Sequence, residues 1–179
     1  MLGAVVGLHD VQDLSAGRWL IPILALLERR QGARFAELLG LGPSRSMLKR
    51  SLRLLIERDL VRPNPGHGHP LRPEYLVTEG GAPLGRWCAR VADAREQLGL
   101  EAPSLGRWAL PILFALASGE RRFSTLEAEL TPVSPRALSL ALKQLLALGL
   151  IDRRLADEFP PAAIYGLTAR GQRLAEAMR

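Results

Sequence analysis

Four cations crowd one short stretch of the chain: Arg45, Lys49, Arg50 and Arg53. Arg45, Lys49 and Arg53 follow one another at intervals of four, which on a helix places them along one face. Met47, Leu48, Leu52, Leu55 and Ile56 form a separate apolar stripe, and Glu57 is the one acid among them. Such a row suits two kinds of chemistry: neutralising the phosphates of a polyanion, and donating paired N–H groups to the edge of a guanine. A second, sparser row follows further on. Arg136 and Lys143 are accompanied by Ser134, Ser139 and Gln144, with no acid from Val133 to Leu148. The solvated face of an ordinary helix is charged too, so a basic face alone leaves both readings open.

Other reactive residues are few. His67 and His69 sit in the Pro- and Gly-rich stretch 63–70 with no third ligand nearby, which reads as a solvated turn and not a metal site. Cys88, the single cysteine, excludes an internal disulfide and a cysteine-based zinc site. It occupies an apolar position of a helical pattern, as an inert buried thiol would. Trp19 and Trp108 read as core or interface aromatics more simply than as the walls of an effector pocket. The chain carries no Gly-rich phosphate loop, nucleophile motif or cluster at ligand spacing. We therefore expect no enzyme, no cofactor and no metal.

The elements that hold the basic rows occur twice. Gly17-Arg18-Trp19-Leu20-Ile21-Pro22-Ile23-Leu24 returns as Gly106-Arg107-Trp108-Ala109-Leu110-Pro111-Ile112-Leu113. Leu48, Leu52, Leu55, Leu60 and Val61 return as Leu138, Leu142, Leu145, Leu150 and Ile151; Tyr75, Thr78 and Gly81 return as Tyr165, Thr168 and Gly171. The near-constant displacement marks an internal repeat of one small domain. A third Gly-Arg-Trp, at 85–87, is out of frame and opens no further copy.

Within copy one, periodicity predicts a helix over 19–29, a short helix around Phe35, Leu38 and Leu39, and a third helix from an N-cap at Ser44 to about Arg58. A strand opens at Leu60-Val61, the stretch 63–70 is a loop, and 75–78 is a return strand. Copy two repeats the order: a helix over 108–118, a short helix through Phe123, Leu126 and Leu130, and a helix from the Ser134-Pro135 cap to about Leu148. Strands follow at 150–155 and 163–167 around a loop at 156–161, and Thr168 caps a last helix. Between the copies, 82–98 has helical spacing and ends at Gly99 and Pro103. Helix, short helix, longer helix and hairpin make a winged helix-turn-helix, with the third helix as recognition helix and the hairpin loop as wing.

Copy two resembles the HxlR family of prokaryotic winged-helix regulators. The resemblance rests on Gly106-Arg107-Trp108, Arg122-Phe123-x-x-Leu126, Ser134-Pro135-Arg136-x-Leu138-Ser139, Leu145-x-x-x-Gly149-Leu150-Ile151, Pro160-Pro161 and Tyr165-x-Leu167-Thr168-x-x-Gly171. Copy one keeps Gly17-Arg18-Trp19, Phe35-x-x-Leu38, Ser44-Arg45-Ser46-x-Leu48, Leu60-Val61 and Tyr75-x-x-Thr78, but carries Gly66-His67-Gly68-His69-Pro70 where the double proline would be. The resemblance implies DNA-binding transcription regulators that carry one such domain and dimerise; this chain resembles two protomers fused.

These readings set the expectations. The fold is mainly α with small β-hairpin wings (α+β), as tandem domains at 1–81 and 104–179 joined by a helical connector at 82–103. The function is sequence-specific binding of double-stranded DNA as a regulator, by the repression more than activation, with the copies as an intramolecular pseudo-dimer. The alternative is a tandem winged-helix scaffold that binds protein. The recognition-helix residues are Ser44, Arg45, Ser46, Lys49, Arg50, Arg53, Ser134, Arg136, Ser139 and Lys143; the wing residues are Arg62, Arg72, Arg153 and Arg154. A small-molecule effector stays open, as does the choice between a monomeric pseudo-dimer and a homodimer.

Bulk composition agrees with this. The 179 residues are 47% hydrophobic and 23% charged, in the range of a chain that folds around a core. The mean hydropathy of +0.06 argues against wholesale disorder. The net charge of +6 favours an acidic partner. Residues 1–100 hold 14 cations against 10 anions and the remainder 10 against 8, so the excess leans toward copy one. The apolar opening lacks a basic leader, and Arg18 and Glu28-Arg29-Arg30 bracket the apolar run 20–27, so a cytoplasmic protein without a membrane span is expected.

Overall fold

The computed structural model describes residues 6–64, 74–100, 105–156 and 161–179. In chain order the elements are α1 (Leu8–Ser15), α2 (Leu20–Arg30), β1 (Ala33–Arg34), α3 (Phe35–Leu39), α4 (Arg45–Glu57), β2 (Val61–Asn64), β3 (Glu74–Val77), α5 (Ala82–Gln97), α6 (Ala109–Leu116), β4 (Arg121–Arg122), α7 (Phe123–Glu129), α8 (Pro135–Ala147), β5 (Ile151–Leu155), β6 (Ala163–Leu167) and α9 (Ala169–Glu176). The chain forms two compact units. One takes in Gly17–Asp93, and the other takes in Gly7–Ala16 with Ala94–Arg179. Both are winged helices, α-rich with one small antiparallel sheet each.

In the first unit, α2 starts one residue past Trp19, so Pro22 falls in the first turn, where its missing N–H has no intrahelical acceptor to lose. Gly42 adopts φ +102° between α3 and α4, a left-handed conformation that glycine enters without a Cβ clash. The Ser44 hydroxyl then accepts the Met47 N–H at 3.2 Å and starts α4. Leu48, Leu52 and Leu55 of α4 are buried with Ile23, Leu24 and Leu27 of α2 and Leu38 of α3. In the second unit Ser134 caps α8 in the same way, accepting from the Ala137 N–H at 3.2 Å, with Pro135 at the first helical position. Leu138, Leu142 and Leu145 are buried with Ile112 and Leu113 of α6 and Leu126 of α7.

The wing is a three-stranded sheet in each unit, not the two-stranded hairpin expected from the sequence. The orders are β1-β3-β2 and β4-β6-β5. Ala33 pairs with Tyr75 and Arg34 with Glu74; Arg121 pairs with Tyr165 and Arg122 with Ile164. A two-residue strand is too short to show any period, so it left no signal in the sequence. Its effect is to make the tyrosine-bearing strand central, with both edges of its backbone hydrogen-bonded.

α1 is a further departure. The sequence reading assigned it no helix, yet Leu8–Ser15 is helical and buries Val11 and Leu14. The expected domains followed chain order, with 1–81 as one body. The contacts instead group α1 with the second unit, where it packs along α6 and the Gln12 amide donates to the Thr131 carbonyl at 3.4 Å.

The repeated Tyr-x-x-Thr-x-x-Gly pattern has one structural cause. The Thr78 hydroxyl donates to the Asp59 carbonyl at 2.5 Å and accepts the Gly81 N–H at 2.9 Å, while the Thr78 N–H reaches the Leu60 carbonyl at 3.1 Å. Thr168 does the same with Gly149 at 2.7 Å, Gly171 at 3.1 Å and Leu150 at 3.2 Å. A Cβ on Gly81 would lie 2.3 Å from the Leu60 carbonyl oxygen, and one on Gly171 would lie 1.9 Å from that of Leu150. Each threonine thus ties the end of the recognition helix to the start of the next helix, and each glycine lets the two backbones meet.

Two outcomes follow. Gly81→Ala and Gly171→Ala should each cost about 1–3 kcal/mol through forced backbone separation, read as a lower urea midpoint. Gly80→Ala, whose Cβ would meet only the Thr78 hydroxyl at 4.0 Å, should stay within about 0.5 kcal/mol of the parent. Asp59 holds φ +54° where copy two has Gly149 at +64°. Asp59→Gly relieves that left-handed strain and should stabilise by about 1 kcal/mol, seen as a higher melting temperature.

Candidate nucleic-acid interface

Leu48, Leu52 and Leu55 turn into the core, while Met47 and Ile56 at the edges of the expected stripe stay exposed, and the buried leucines decide where the cations go. Arg45, Lys49, Arg50 and Arg53 are all exposed, on the side away from buried Leu48, Leu52 and Leu55. Among the described residues, none of the four has an ion pair or side-chain hydrogen bond. Several cations elsewhere are matched: Arg30 meets Glu37 at 2.8 Å, Arg121 meets Glu129 at 3.1 Å, and Arg29 meets Asp93. The backbone N–H of Arg34 and the guanidinium of Arg30 hold the Glu37 carboxyl below its ordinary range, against a smaller opposing effect of desolvation. Among the described residues no carboxylate pairs with these four cations, and Glu57 is the one acid on the helix.

The serines have a local task first. The Ser44 hydroxyl caps α4 and lies 3.0 Å from that of Ser46, and both residues are exposed. Ser134 caps α8. Arg136 and Lys143 are exposed on α8, while Ser139 is half-buried. Gln144 belongs to the frame: its side-chain oxygen accepts the Gly106 N–H at 3.2 Å and so ties α8 to the start of α6.

The wing arginines are not equivalent. Arg62 on β2 and Arg153 on β5 are exposed. Arg154 donates to both carboxylate oxygens of Glu120, beside β4, and this hydrogen bond draws the Glu120 carboxyl below its usual range. Arg154 is thereby held in the sheet, whereas Arg153 has no such partner among the described residues. Arg72, His67, His69 and the acids Asp157 and Glu158 lie outside the described residues.

One positioning feature had no sequence signal. Arg170 donates to the Leu148 carbonyl at 2.9 Å and the Leu98 carbonyl at 2.6 Å, satisfying backbone acceptors at the ends of α8 and α5. These partners are 22 and 72 residues away, beyond any local pattern. In the Gly-Arg-Trp motifs, Arg18 lies over the Trp19 ring at 5.4 Å and Arg107 over the Trp108 ring at 5.1 Å. Trp19 is buried and touches the turn at Gly42, 3.5 Å from where a Cβ would sit; Trp108 is half-buried.

Among the described residues no group of three or more His, Cys, Asp or Glu side chains could hold a metal ion, and no helix is long and apolar enough to cross a membrane.

A winged helix with an exposed basic third helix defines a class, the winged helix-turn-helix proteins. The comparison with known proteins agrees with that class. The profile of the HxlR-like helix-turn-helix family matches residues 14–98 and again 105–179, and the chain belongs to that family. It is 42% identical over 69 residues to the HTH-type transcriptional regulator YvaP of Bacillus subtilis, covering 38% of this chain and 64% of that protein. It is 38% identical over 68 residues to the HTH-type transcriptional regulator sll1512 of Synechocystis, covering 38% of this chain and 50% of that protein. The matched segments thus span between half and two thirds of these relatives. Among solved structures, a transcriptional regulator of the MarR family from Enterococcus faecalis superposes on 49% of this chain and 74% of its own, with 27% identity and a TM-score of 0.41. The chain thus carries two copies of the domain that defines the HxlR-like helix-turn-helix family.

Cys88 stands apart from this interface. It is fully buried on α5, and burial pushes its thiol far above the ordinary range, so it is neither ionised nor reachable. Ellman's reagent should release no thiolate from the native protein at neutral pH and one equivalent after unfolding in urea. Fast stoichiometric reaction of the native protein would contradict this burial.

Proposed function

We propose that the chain binds operator DNA sequence-specifically through α4 and α8, as a repressor in which the two copies act as an intramolecular pseudo-dimer. The observation that carries the proposal is the α4 face: four exposed cations, unpaired among the described residues, on a helix with one acid. A protein gains nothing in stability from such a face, because its charges repel one another and find no partner. Phosphates supply that partner, and releasing their counterions makes binding favourable.

In this reading, Arg45, Lys49 and Arg53 contact phosphates and position α4. Arg50 points from the centre of the outward face into the major groove, where a guanidinium can pair with guanine. Ser44 and Ser46 lie at the helix N-terminus, close to the backbone. Arg136, Ser139 and Lys143 serve α8 in the same manner with fewer charges, and Ser134 starts that helix. The exposed wing residues Arg62 and Arg153, with Arg72, extend the contact to the flanking minor groove or phosphates. Arg154 joins them only by leaving Glu120. Two half-sites, about 34 Å or one helical turn apart, are what two such copies require. The family to which the chain belongs supports the DNA partner, and the unlike helices make the operator an imperfect palindrome.

The double variant Arg45→Ala/Arg50→Ala should weaken binding to the selected operator at least tenfold, as an order of magnitude. It should also reduce the steepness of the affinity–salt plot by about 1–2, measured by fluorescence anisotropy across a salt series. If affinity and slope both stay unchanged, α4 is not the contact. A salt-insensitive or absent response to duplex, together with a stably bound protein, would favour the scaffold reading.

A further inference from the structure

The two recognition helices share a frame but differ at its centre. Tyr75 and Tyr165, Thr78 and Thr168, and Leu48 and Leu138 stand 90 residues apart. The same displacement sets Arg50 against Leu140, Lys49 against Ser139 and Arg53 against Lys143. Leu140 is therefore the copy-two counterpart of the residue that points most directly outward from α4. It is 58% exposed, opposite the buried Leu138, Leu142 and Leu145. Arg136 lies four residues before it and Lys143 three after, so the leucine sits between two cations on one helical face.

Solvation does not account for this placement. Large apolar residues that are exposed among the described residues number four, and each is on a recognition helix or a wing strand: Met47, Ile56, Leu140 and Leu155. Leu140 is nearly three-fifths exposed yet flanked by phosphate-seeking charge. One partner offers an apolar group in the midst of polyanion: the C5-methyl of thymine, which lines the major groove. A protein surface would have to match two flanking cations as well as the leucine; duplex DNA supplies both chemistries at the spacing of its own groove.

We infer that Leu140 is a specificity-determining residue that packs against a thymine methyl, so that copy two reads thymine where copy one, through Arg50, reads guanine. This rests on the DNA-binding function proposed above. The consequence is an operator whose halves differ by rule: a polar contact in one half-site and a methyl contact at the matching step of the other.

The test begins by selecting binding sites for the full chain from a random duplex pool. Each thymine of the selected site is then replaced in turn by deoxyuridine, which removes the methyl and nothing else. One replacement, in one half-site, should weaken binding about fourfold, the effect of exposing one methyl-sized apolar group. Leu140→Ala, at an exposed helical position, should bind the thymine and uracil duplexes equally there and keep the parent's salt slope. Leu140→Arg should move the preferred base at that step toward guanine. Four results would overturn the inference. If no uracil substitution matters, or if Leu140→Ala keeps the full uracil penalty, Leu140 reads no methyl, although selection succeeded and the DNA-binding function stands. If Leu140→Ala leaves DNA binding untouched but releases a stoichiometric protein partner, the face is a protein-docking surface. If the full chain enriches no sequence at all, the DNA-binding function fails first and Leu140 with it.

Discussion

Each copy depends on one small polar junction. A threonine hydroxyl, acting as donor and acceptor together, joins the carbonyl that ends the recognition helix to the N–H that starts the helix after the wing. Glycine at the third position beyond it is required because a carbonyl oxygen occupies the space of a Cβ. The junction sets three directions at once: the exit of the recognition helix, the return of the wing strand and the departure of α5 or α9. Everything exposed for binding is displayed relative to it. Changing the hydroxyl or the glycine would therefore disturb the presentation of α4 or α8 without touching a single candidate contact.

Around this shared frame the two copies have separated in the way physical constraint allows. Interior positions match because close packing penalises a change of even one methylene. Leu48 and Leu138, Leu55 and Leu145, and Val61 and Ile151 are all buried. Exposed positions carry no such penalty, and there the copies differ. α4 holds Lys49, Arg50 and Arg53 where α8 holds Ser139, Leu140 and Lys143. Even the helix stop differs, with Asp59 in the left-handed conformation that Gly149 adopts more cheaply. Two domains can thus share a fold while displaying different chemistry on the outward face of the third helix.

Charge pairing separates the cations that build the protein from those free to meet a partner. Arg29, Arg30, Arg121 and Arg154 face carboxylates, and Arg170 is taken up by backbone carbonyls. Those on the outward face of α4 have no such partner among the described residues. The net charge of +6 is thus a coarse sum over two populations. Arg153 and Arg154 make the point at closest range: adjacent in sequence and alike in type, they lie on opposite faces of a strand, and Glu120 is within reach of only one of them.

The sequence by itself determined the repeat, the order of the main helices, the caps at Ser44, Ser134 and Thr168, and the face on which the α4 cations lie. Those features arise from local periodicity and from hydrogen bonds spanning three residues, so a short window contains their causes. The tertiary structure decided the rest. It added β1 and β4, whose two residues have no period and become strands only by pairing with β3 and β6. It grouped α1 with the second unit, against the order of the chain. It held Arg154, Gln144 and Arg170 in the frame through partners 34, 38, 22 and 72 residues distant. It left Leu140 in solvent between two cations. A pattern in the chain shows which way a side chain points; whether another group waits there depends on segments that only folding brings near.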